Sequence, residues 1–513
     1  MSAPPNRRSV AGKLRRRLAG QVLADTKAIV KFSRDFSIYQ VPPLLVALPA
    51  DAEDLGRIIH FAAEEGLAIT PRGGGSGTAG SALGNGIVVA LPRGGAWEEI
   101  TGFAVTDGVP SVEAGAGVFH NDLQKYLRAR GYFLPADVSS AKISRIGGNI
   151  ATKASGPHAL QYGSIDRFVN HLEFLTAQGE LIDTSDDRLR ADEQATKLLA
   201  ARANLKTASG YNMFCFLPQY PTGTLLARLL AGSVGTLGFI TRATLRGEIY
   251  QSQRATMLLF FADLVEAGRA VCAIREAGVA AIEIINRETI RIVRQKSGLG
   301  KRFAPDADAL FVEFEGPDLF DRIDRVKKML KAKEFRTSRE PAIATTNEEM
   351  EELWDLRKML LPLVSNPAPG IKALSVVNDV GVDPSRLADC IAELQRLFQK
   401  EGLEGAIYGH AGSGNLHLRP FFDLHRPGLR DRIQRVADGV YAVILRSGGT
   451  ITAEHGMGRL RAPYLEPEWG ERIYGYMKDL KTIFDPQGIF NPGAMFSNSP
   501  ITENLRPELL RYL

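Results

Sequence analysis

Pro71-Arg-Gly-Gly-Gly-Ser-Gly-Thr-Ala-Gly80 decides the fold. Residues 75–80 are a literal GxGxxG, and the apolar stretch 67–70 that leads into them reads as a short strand. A Rossmann loop has to open a helix, whose N-terminus then faces the pyrophosphate. Here Ser81-Ala-Leu-Gly-Asn-Gly86 follows, with two more glycines, and then Ile87-Val-Val-Ala90, a second strand. Nor does a lysine follow in the order a P-loop requires. What remains is a run of small residues between two strands. Without Cβ atoms its backbone N–H groups can converge on an anion, which suits a pyrophosphate. A tight hairpin is the plainer alternative, but four glycines within residues 73–77 exceed what a turn needs.

Two further clusters have the same texture. They are Ile146-Gly-Gly-Asn-Ile-Ala-Thr-Lys-Ala-Ser-Gly156 and Gly232-Ser-Val-Gly-Thr-Leu-Gly238. Each combines permissive glycines with hydroxyl or amide side chains. A mononucleotide needs one such loop; three point to a long cofactor wrapped by several segments. Around them the periodicity predicts helices at 51–66 and 121–130 and a strand at 87–91, with helices and strands alternating to about residue 246. From about residue 250 the rhythm changes. Strands at 257–261, 280–285 and 310–314 alternate with helices at 264–278, 320–333 and 350–363, the pattern of a separate α+β domain. A last helix is expected at 469–483.

Composition bounds the rest. The chain has 513 residues, 44% hydrophobic and 24% charged, which is ordinary globular usage over two to four domains. A net charge of +5 is too small to indicate nucleic acid, which is not an expected partner. No apolar run approaches the ~20 residues of a membrane span. The three cysteines, Cys215, Cys272 and Cys390, are far apart, so a disulfide scaffold, a thiolate zinc site and a protein-borne iron–sulfur cluster are unsupported. The expected location is the cytoplasm. Arg7, Arg8, Lys13, Arg15, Arg16 and Arg17 precede the first acid and read as a frayed, solvated arm, or as a contact with the inner-membrane surface or an acidic partner.

Several motifs occur in a telling order: 71–77; Val112-Glu-Ala-Gly-Ala-Gly117; Pro135-Ala-Asp137 with Ser139-Ser140; Gly147-Gly-Asn149; Gly235-Thr-Leu-Gly238; and Asp485-Pro-Gln-Gly-Ile-Phe-Asn-Pro-Gly493. Together they resemble the vanillyl-alcohol oxidase / p-cresol methylhydroxylase superfamily. Tyr408-Gly-His-Ala-Gly-Ser-Gly-Asn-Leu-His417 and Ala453-Glu-His-Gly-Met-Gly458 narrow the resemblance to its D-lactate dehydrogenase / glycolate oxidase flavoprotein-subunit branch. The resemblance spans residues 25–497. It implies an α+β fold: a two-part FAD-binding domain and an α+β, ferredoxin-like cap, with the flavin between them. The expected division is an N-terminal basic arm and helix (1–40), the FAD-binding domain (41–248), the cap (249–458) and a C-terminal segment returning to the FAD domain (459–513). The resemblance also implies that Arg72, Gly73, Gly74, Gly75, Ser76 and Gly77 cradle the pyrophosphate. Asp137, Ser140, Gly147, Gly148, Asn149 and Thr152 would then line the flavin, joined by Gly238 and Ile240, and Asn491 would return from the tail. Some relatives tether FAD to a histidine in the first loop. Residues 71–80 contain none, so non-covalent FAD is expected.

Three of the chain's eight histidines fall in two motifs. His410 and His417 sit in HxGxGNxH, where two glycines can bend the chain and bring both imidazoles to one point. Glu454 lies beside His455. Two imidazoles and a carboxylate suit a divalent ion such as zinc or manganese, so His410, His417 and Glu454 are the candidate metal ligands. The resemblance points the same way, with one departure: Ser413 stands where that branch usually has aspartate. His455, with an unperturbed pKa of about 6.5, is the candidate base for a hydroxyl proton. Arg357, on the expected helix 350–363, resembles the family's carboxylate clamp, with Lys372 a weaker second.

The reaction implied is FAD-dependent oxidation of a D-2-hydroxy acid such as D-lactate or glycolate. Electrons would pass to a non-oxygen acceptor or an iron–sulfur partner subunit, and a homodimer is open. The rival readings are a flavoprotein oxidase acting on alcohols, a zinc hydrolase built on the same histidines, and a non-catalytic electron-transfer subunit.

Overall fold

The computed structural model describes residues 6–184, 205–216, 222–296 and 306–510. Strands Leu45–Leu48, Ile87–Ala90 and Ile69–Arg72 lie parallel in that spatial order, and Gln21–Leu23 pairs antiparallel on the outer side of Leu45–Leu48. The glycine run thus joins two parallel neighbours, which rules out the hairpin alternative. Helix Ala52–Glu65 makes the preceding crossover. Asp51 caps it by accepting from the Asp54 N–H, Gly66 ends it in the left-handed region, and Leu55, Ile58, Ile59 and Ala62 are buried, as their spacing predicts. A second, antiparallel sheet follows, in the order Ile100–Thr106, Val109–Gly115, Phe239–Arg246, Val169–Leu175, Leu181–Asp183.

The basic N-terminus is not a frayed arm. Residues Arg7–Arg15 form a helix capped by Asn6, with Val10, Ala11 and Leu14 buried against the FAD domain. Lys13 and Arg17 are paired with Glu65 and Glu64 at 2.8 and 2.6 Å. The charges decorate the outer face of a packed helix, and the chain then enters the first sheet at Gln21. The tail returns to the other side of that sheet: Ile69 and Asn491 exchange backbone hydrogen bonds with the tail and the strand, Ile69 N–H to Ile489 O and Asn491 N–H to Ile69 O, both 2.7 Å. Among the described residues, no helix is long and apolar enough to cross a membrane.

The cap is one antiparallel sheet ordered Ala342–Ala344, Arg254–Phe261, Asp308–Glu315, Ala281–Ile285, Gly405–Gly409, Asn415–Asp423, Ile371–Ala373, with Val377–Gly381 also pairing Asn415–Asp423. Its strands alternate between two apolar layers. Met257, Leu259, Leu310, Val312, Ile282 and Ile284 join the main core, whereas Leu258, Phe260, Phe311 and Ile285 meet helices Arg287–Lys296 and Asn347–Val364 in a smaller one. Glu283, Tyr408, His417 and Arg419 fall on the second face by this alternation. The polar site therefore lies under helix Asn347–Val364.

Candidate active site

A cavity of about 360 Å³ runs from the glycine loop to the cap. Arg72, Gly73, Gly74, Gly75, Ser76 and Gly77 line one wall; Ser140, Gly147, Gly148, Asn149 and Thr152 line the facing wall, with Gly238 and Ile240 beside them. The two walls meet backbone to backbone. A Cβ on Gly73 would lie 3.4 Å from Gly148 Cα, and a Cβ on Gly148 would meet nothing nearer than 3.8 Å. Main chain rather than side chain thus bounds this end, which fits a cofactor whose phosphates are held by N–H groups. Asn149 is tied through its amide to His120 at 3.0 Å. Burial pushes His120 down to about 4, so that ring is neutral.

Three expected cofactor contacts are placed differently. Asp137 does not line the cavity; its carboxylate is drawn to His158 Nδ1 at 2.5 Å, at the junction with the cap. Asn491 is also outside the cavity wall. Its amide donates to Ser81 O at 2.8 Å and Val234 O at 2.7 Å, tying the first glycine segment to the third. Arg72 reaches the cavity, but its guanidinium is spent on the carbonyls of Phe32, Arg34 and Ala82, so it braces the loop.

At the cap end the wall is made of ionisable side chains. Glu454 is the hub. His410 Nε2 lies 3.2 Å from its carboxylate, His417 Nε2 3.3 Å, His455 Nε2 3.4 Å and Lys206 Nζ 2.8 Å. Burial alone would raise Glu454, but His410 and Lys206 overcome it and hold the carboxyl well below its usual range. His410 lies behind the wall, between Glu454 and Glu283, with Nδ1 2.5 Å from Glu283. Burial opposes its charge, yet the two carboxylates raise its pKa. His417 is pushed down to about 4 by burial, and its Nδ1 is buried without a partner. A neutral imidazole with Nε2 toward Glu454 can take an ion, but the donor atoms gathered within 4.8 Å of one another are those of Asp379, His417, Glu454 and His455; of the expected ligands, His410, held between Glu283 and Glu454, is not in that group. Ser413 touches none of these side chains; its hydroxyl donates to His410 O at 3.1 Å.

His455 is the most exposed of the cluster members that line the cavity, its side chain 28% exposed. Its Nδ1 lies 3.3 Å from the Asn378 amide and 3.4 Å from the Thr78 hydroxyl, which comes from the FAD domain. Asp379 positions the whole turn. It is fully buried in the left-handed region at φ 84, at a bulge in its strand, and its carboxylate accepts the N–H groups of Glu454 (3.1 Å) and His455 (2.8 Å) and the Thr452 hydroxyl (2.6 Å). Gly456 then turns with φ 74 against Thr152, where a Cβ would come within 2.9 Å of the Thr152 carbonyl. Arg357 also lines the cavity, 7% exposed. Its Nε donates to Glu283 at 2.5 Å, and its Nη2 is buried with no partner.

Glu283, Lys206, Asn378, Asp379 and Arg419 were not singled out from the sequence. A signal existed for some: Glu283 interrupts Ala281-Ile-Glu-Ile-Ile285, and Asn378-Asp379 sit inside a valine strand. Lys372 is not on the cavity wall.

A model for the FAD binding domain matches residues 43–185, and one for the C-terminal domain of FAD linked oxidases matches 250–495. A probable mitochondrial D-lactate dehydrogenase of Danio rerio is 30% identical over 470 residues, covering 90% of this chain and 86% of that protein. The chain belongs to the FAD-linked oxidases. A D-2-hydroxyglutarate dehydrogenase of Escherichia coli is 29% identical over 504 residues; this FAD-linked oxidase spans about half (49%) of that relative's length. Among solved structures, 4-ethylphenol oxidase from Gulosibacter chungangensis superposes with a TM-score of 0.68 over 97% of this chain and 98% of that one, at 15% identity, which shows the shared α+β fold of FAD domain and cap. This FAD-linked oxidase thus carries both matched domains, the FAD-binding one and the C-terminal one, on a single chain.

Proposed function

We propose that this chain oxidises a D-2-hydroxy acid to the 2-oxo acid and passes the electrons to an acceptor other than oxygen. One observation carries the reading: a single cavity joins a glycine-walled cofactor end to an imidazole, His455, and a guanidinium, Arg357, within one cap site. Bound FAD, held without a covalent tether, supplies the acceptor for the hydride that leaves Cα. His455 takes the hydroxyl proton. Asn378 and Thr78 fix the His455 ring from two domains, so the base is in place only when cap and FAD domain are together. Arg357 offers its unpartnered Nη2 to the substrate carboxylate while Glu283 holds the other edge of the fork. His417 and Glu454, joined by His410 once it has given up the proton it holds between Glu283 and Glu454, would hold a divalent ion, which would supply a Lewis acid for the hydroxyl oxygen. The acceptor is a quinone, a cytochrome, an electron-transfer flavoprotein or an iron–sulfur partner. The chain's three cysteines are single and dispersed, two of them buried, and offer no cluster site.

The test is anaerobic reduction of the purified yellow protein by a panel of D- and L-2-hydroxy acids and simple alcohols. Bleaching by one or more D-acids, and not by alcohols, is expected. Bleaching by alcohols alone would replace this reading with an alcohol oxidase. Elemental analysis tests the ion separately: His417→Ala should carry less of it than the native protein, and a native protein without stoichiometric metal would remove the Lewis acid from the scheme.

A further inference from the structure

The cations of the cap site are not equivalent. Arg357 has Glu283 at 2.5 Å, Lys206 has Glu454 at 2.8 Å, and the fully buried Arg461 has Asp379 at 3.8 Å. Arg419 has no carboxylate partner among the described residues. It is 5% exposed, lines the cavity, and makes one side-chain hydrogen bond, from Nε to the Tyr408 hydroxyl at 3.2 Å. Its two terminal nitrogens have no partner among the described residues.

The backbone explains how it arrives there. On strand Asn415–Asp423, residues two apart share a face, so Arg419 follows His417 onto the cavity side. The register sets His417 opposite Tyr408 and Arg419 opposite Ala406, whose small side chain leaves room for the guanidinium. Arg357 packs over the Tyr408 ring, its Cζ 5.1 Å from the centroid, while Arg419 bonds the hydroxyl of the same ring. One tyrosine thus spaces two guanidiniums along one cavity. A buried guanidinium with no counter-ion is costly, and the cost is removed when an anion enters with the ligand.

We propose that Arg419 reads a second acidic group, so that the acid this site is shaped for is a 2-hydroxy acid with another carboxylate at its far end. Arg357 takes the carboxylate next to the reacting carbon and Arg419 the distal one. This rests on the dehydrogenase reading above and names its substrate class. A monocarboxylate would leave Arg419 unmatched in the occupied cavity; a dicarboxylate satisfies both forks.

The experiment compares anaerobic flavin reduction of the flavin-loaded protein by D-2-hydroxyglutarate and D-malate with reduction by D-2-hydroxyvalerate, a monoacid of the same chain length as the first. The native protein should prefer at least one diacid on the order of 10- to 100-fold in kcat/KM, the range of a charge-assisted hydrogen bond to a buried partner. Arg419→Gln should remove most of that ratio, and Arg419→Lys should restore part of it. Equal efficiency of the native protein with diacids and monoacid overturns the proposal, and this arm needs no variant to fold. An equal loss on both kinds of acid in Arg419→Gln also overturns it, because it would place Arg419 on the carboxylate they share. Bleaching by the monoacid with no diacid preference leaves the dehydrogenase reading standing, whereas bleaching by no hydroxy acid sinks both.

Discussion

Around residues 73–77 and 147–148 the cavity wall is main chain; around Arg357, Arg419, His417 and Glu454 it is side chain, and much of it is ionised. The two ends fail in opposite ways. The main-chain wall recognises its ligand with groups that every residue carries, so it is damaged by adding atoms. The cap wall is a balance of paired charges, so it is damaged by removing one. The difference also assigns the work: the first end holds, the second reacts.

The sharpest way to break this division is at His455. His455→Asn should retain its flavin, because the glycine wall is untouched, yet reduce it on the order of 10²–10⁴-fold more slowly in stopped-flow mixing with substrate, the usual contribution of a positioned base. Reduction at the native rate would move the base elsewhere. The converse variant is Gly74→Ala. A Cβ there would fall 1.8 Å from the Ile143 carbonyl oxygen, a clash only backbone movement can relieve. Overpacking of this kind costs about 1–3 kcal/mol. The expected outcome is flavin bound on the order of 10- to 100-fold more weakly, read from the absorbance retained after gel filtration. Full flavin content would mean that the loop is not rigid where the walls meet.

These two ends were not equally legible in the sequence. Glycine has few structural uses in such density, so residues 73–77, 147–148 and 238 announced a backbone-lined site, and the structure puts all of them on one cavity. His410, His417, Glu454 and His455 were legible because histidine is scarce here and the glycine spacing lets the chain bend. What could not be read was pairing across long separations. Nothing near Asp137 points to His158 as its partner, nor near Arg357 to Glu283, 74 residues earlier. Charges of that kind look like solvated faces until the sheet register stacks them. The N-terminal arginines misled for the reverse reason: the apolar stripe Val10, Ala11 and Leu14 is only three residues wide, and the charges around it dominate the composition.

A smaller effect separates fork from charge at Arg357. Arg357→Lys keeps a cation for Glu283 but loses the second donor edge, so KM for the hydroxy acid should rise on the order of 10-fold with flavin content normal. An unchanged KM would leave the carboxylate to other groups in the cavity.

The smallest expected effect concerns the contact between the two halves. His158 comes from the FAD domain and bridges Asp137 of the same domain, at 2.5 Å, to Glu313 of the cap, at 3.2 Å; Glu315 lies at 3.8 Å, with Arg254 and Tyr162 completing the cluster. Burial would lower its pKa, but the carboxylates on both sides outweigh burial and raise it well above the ordinary histidine value. A group whose folded pKa is raised contributes stability that is fully present below the unfolded value of about 6.5 and is lost as pH rises through the folded one. Mildly alkaline buffer should therefore loosen the cap from the FAD domain, lowering Tm by a few degrees, the scale of about 1 kcal/mol or somewhat more in a chain this large. His158→Gln should begin less stable and lose that alkaline slope. Because Thr78 and Asn378 hold the His455 ring from the two halves, the same loosening should slow flavin reduction in parallel with the fall in Tm. A Tm that falls with pH identically in both proteins would take His158 out of the interface's energetics and leave the halves joined by apolar packing and the remaining polar contacts, such as Tyr162 to Glu315.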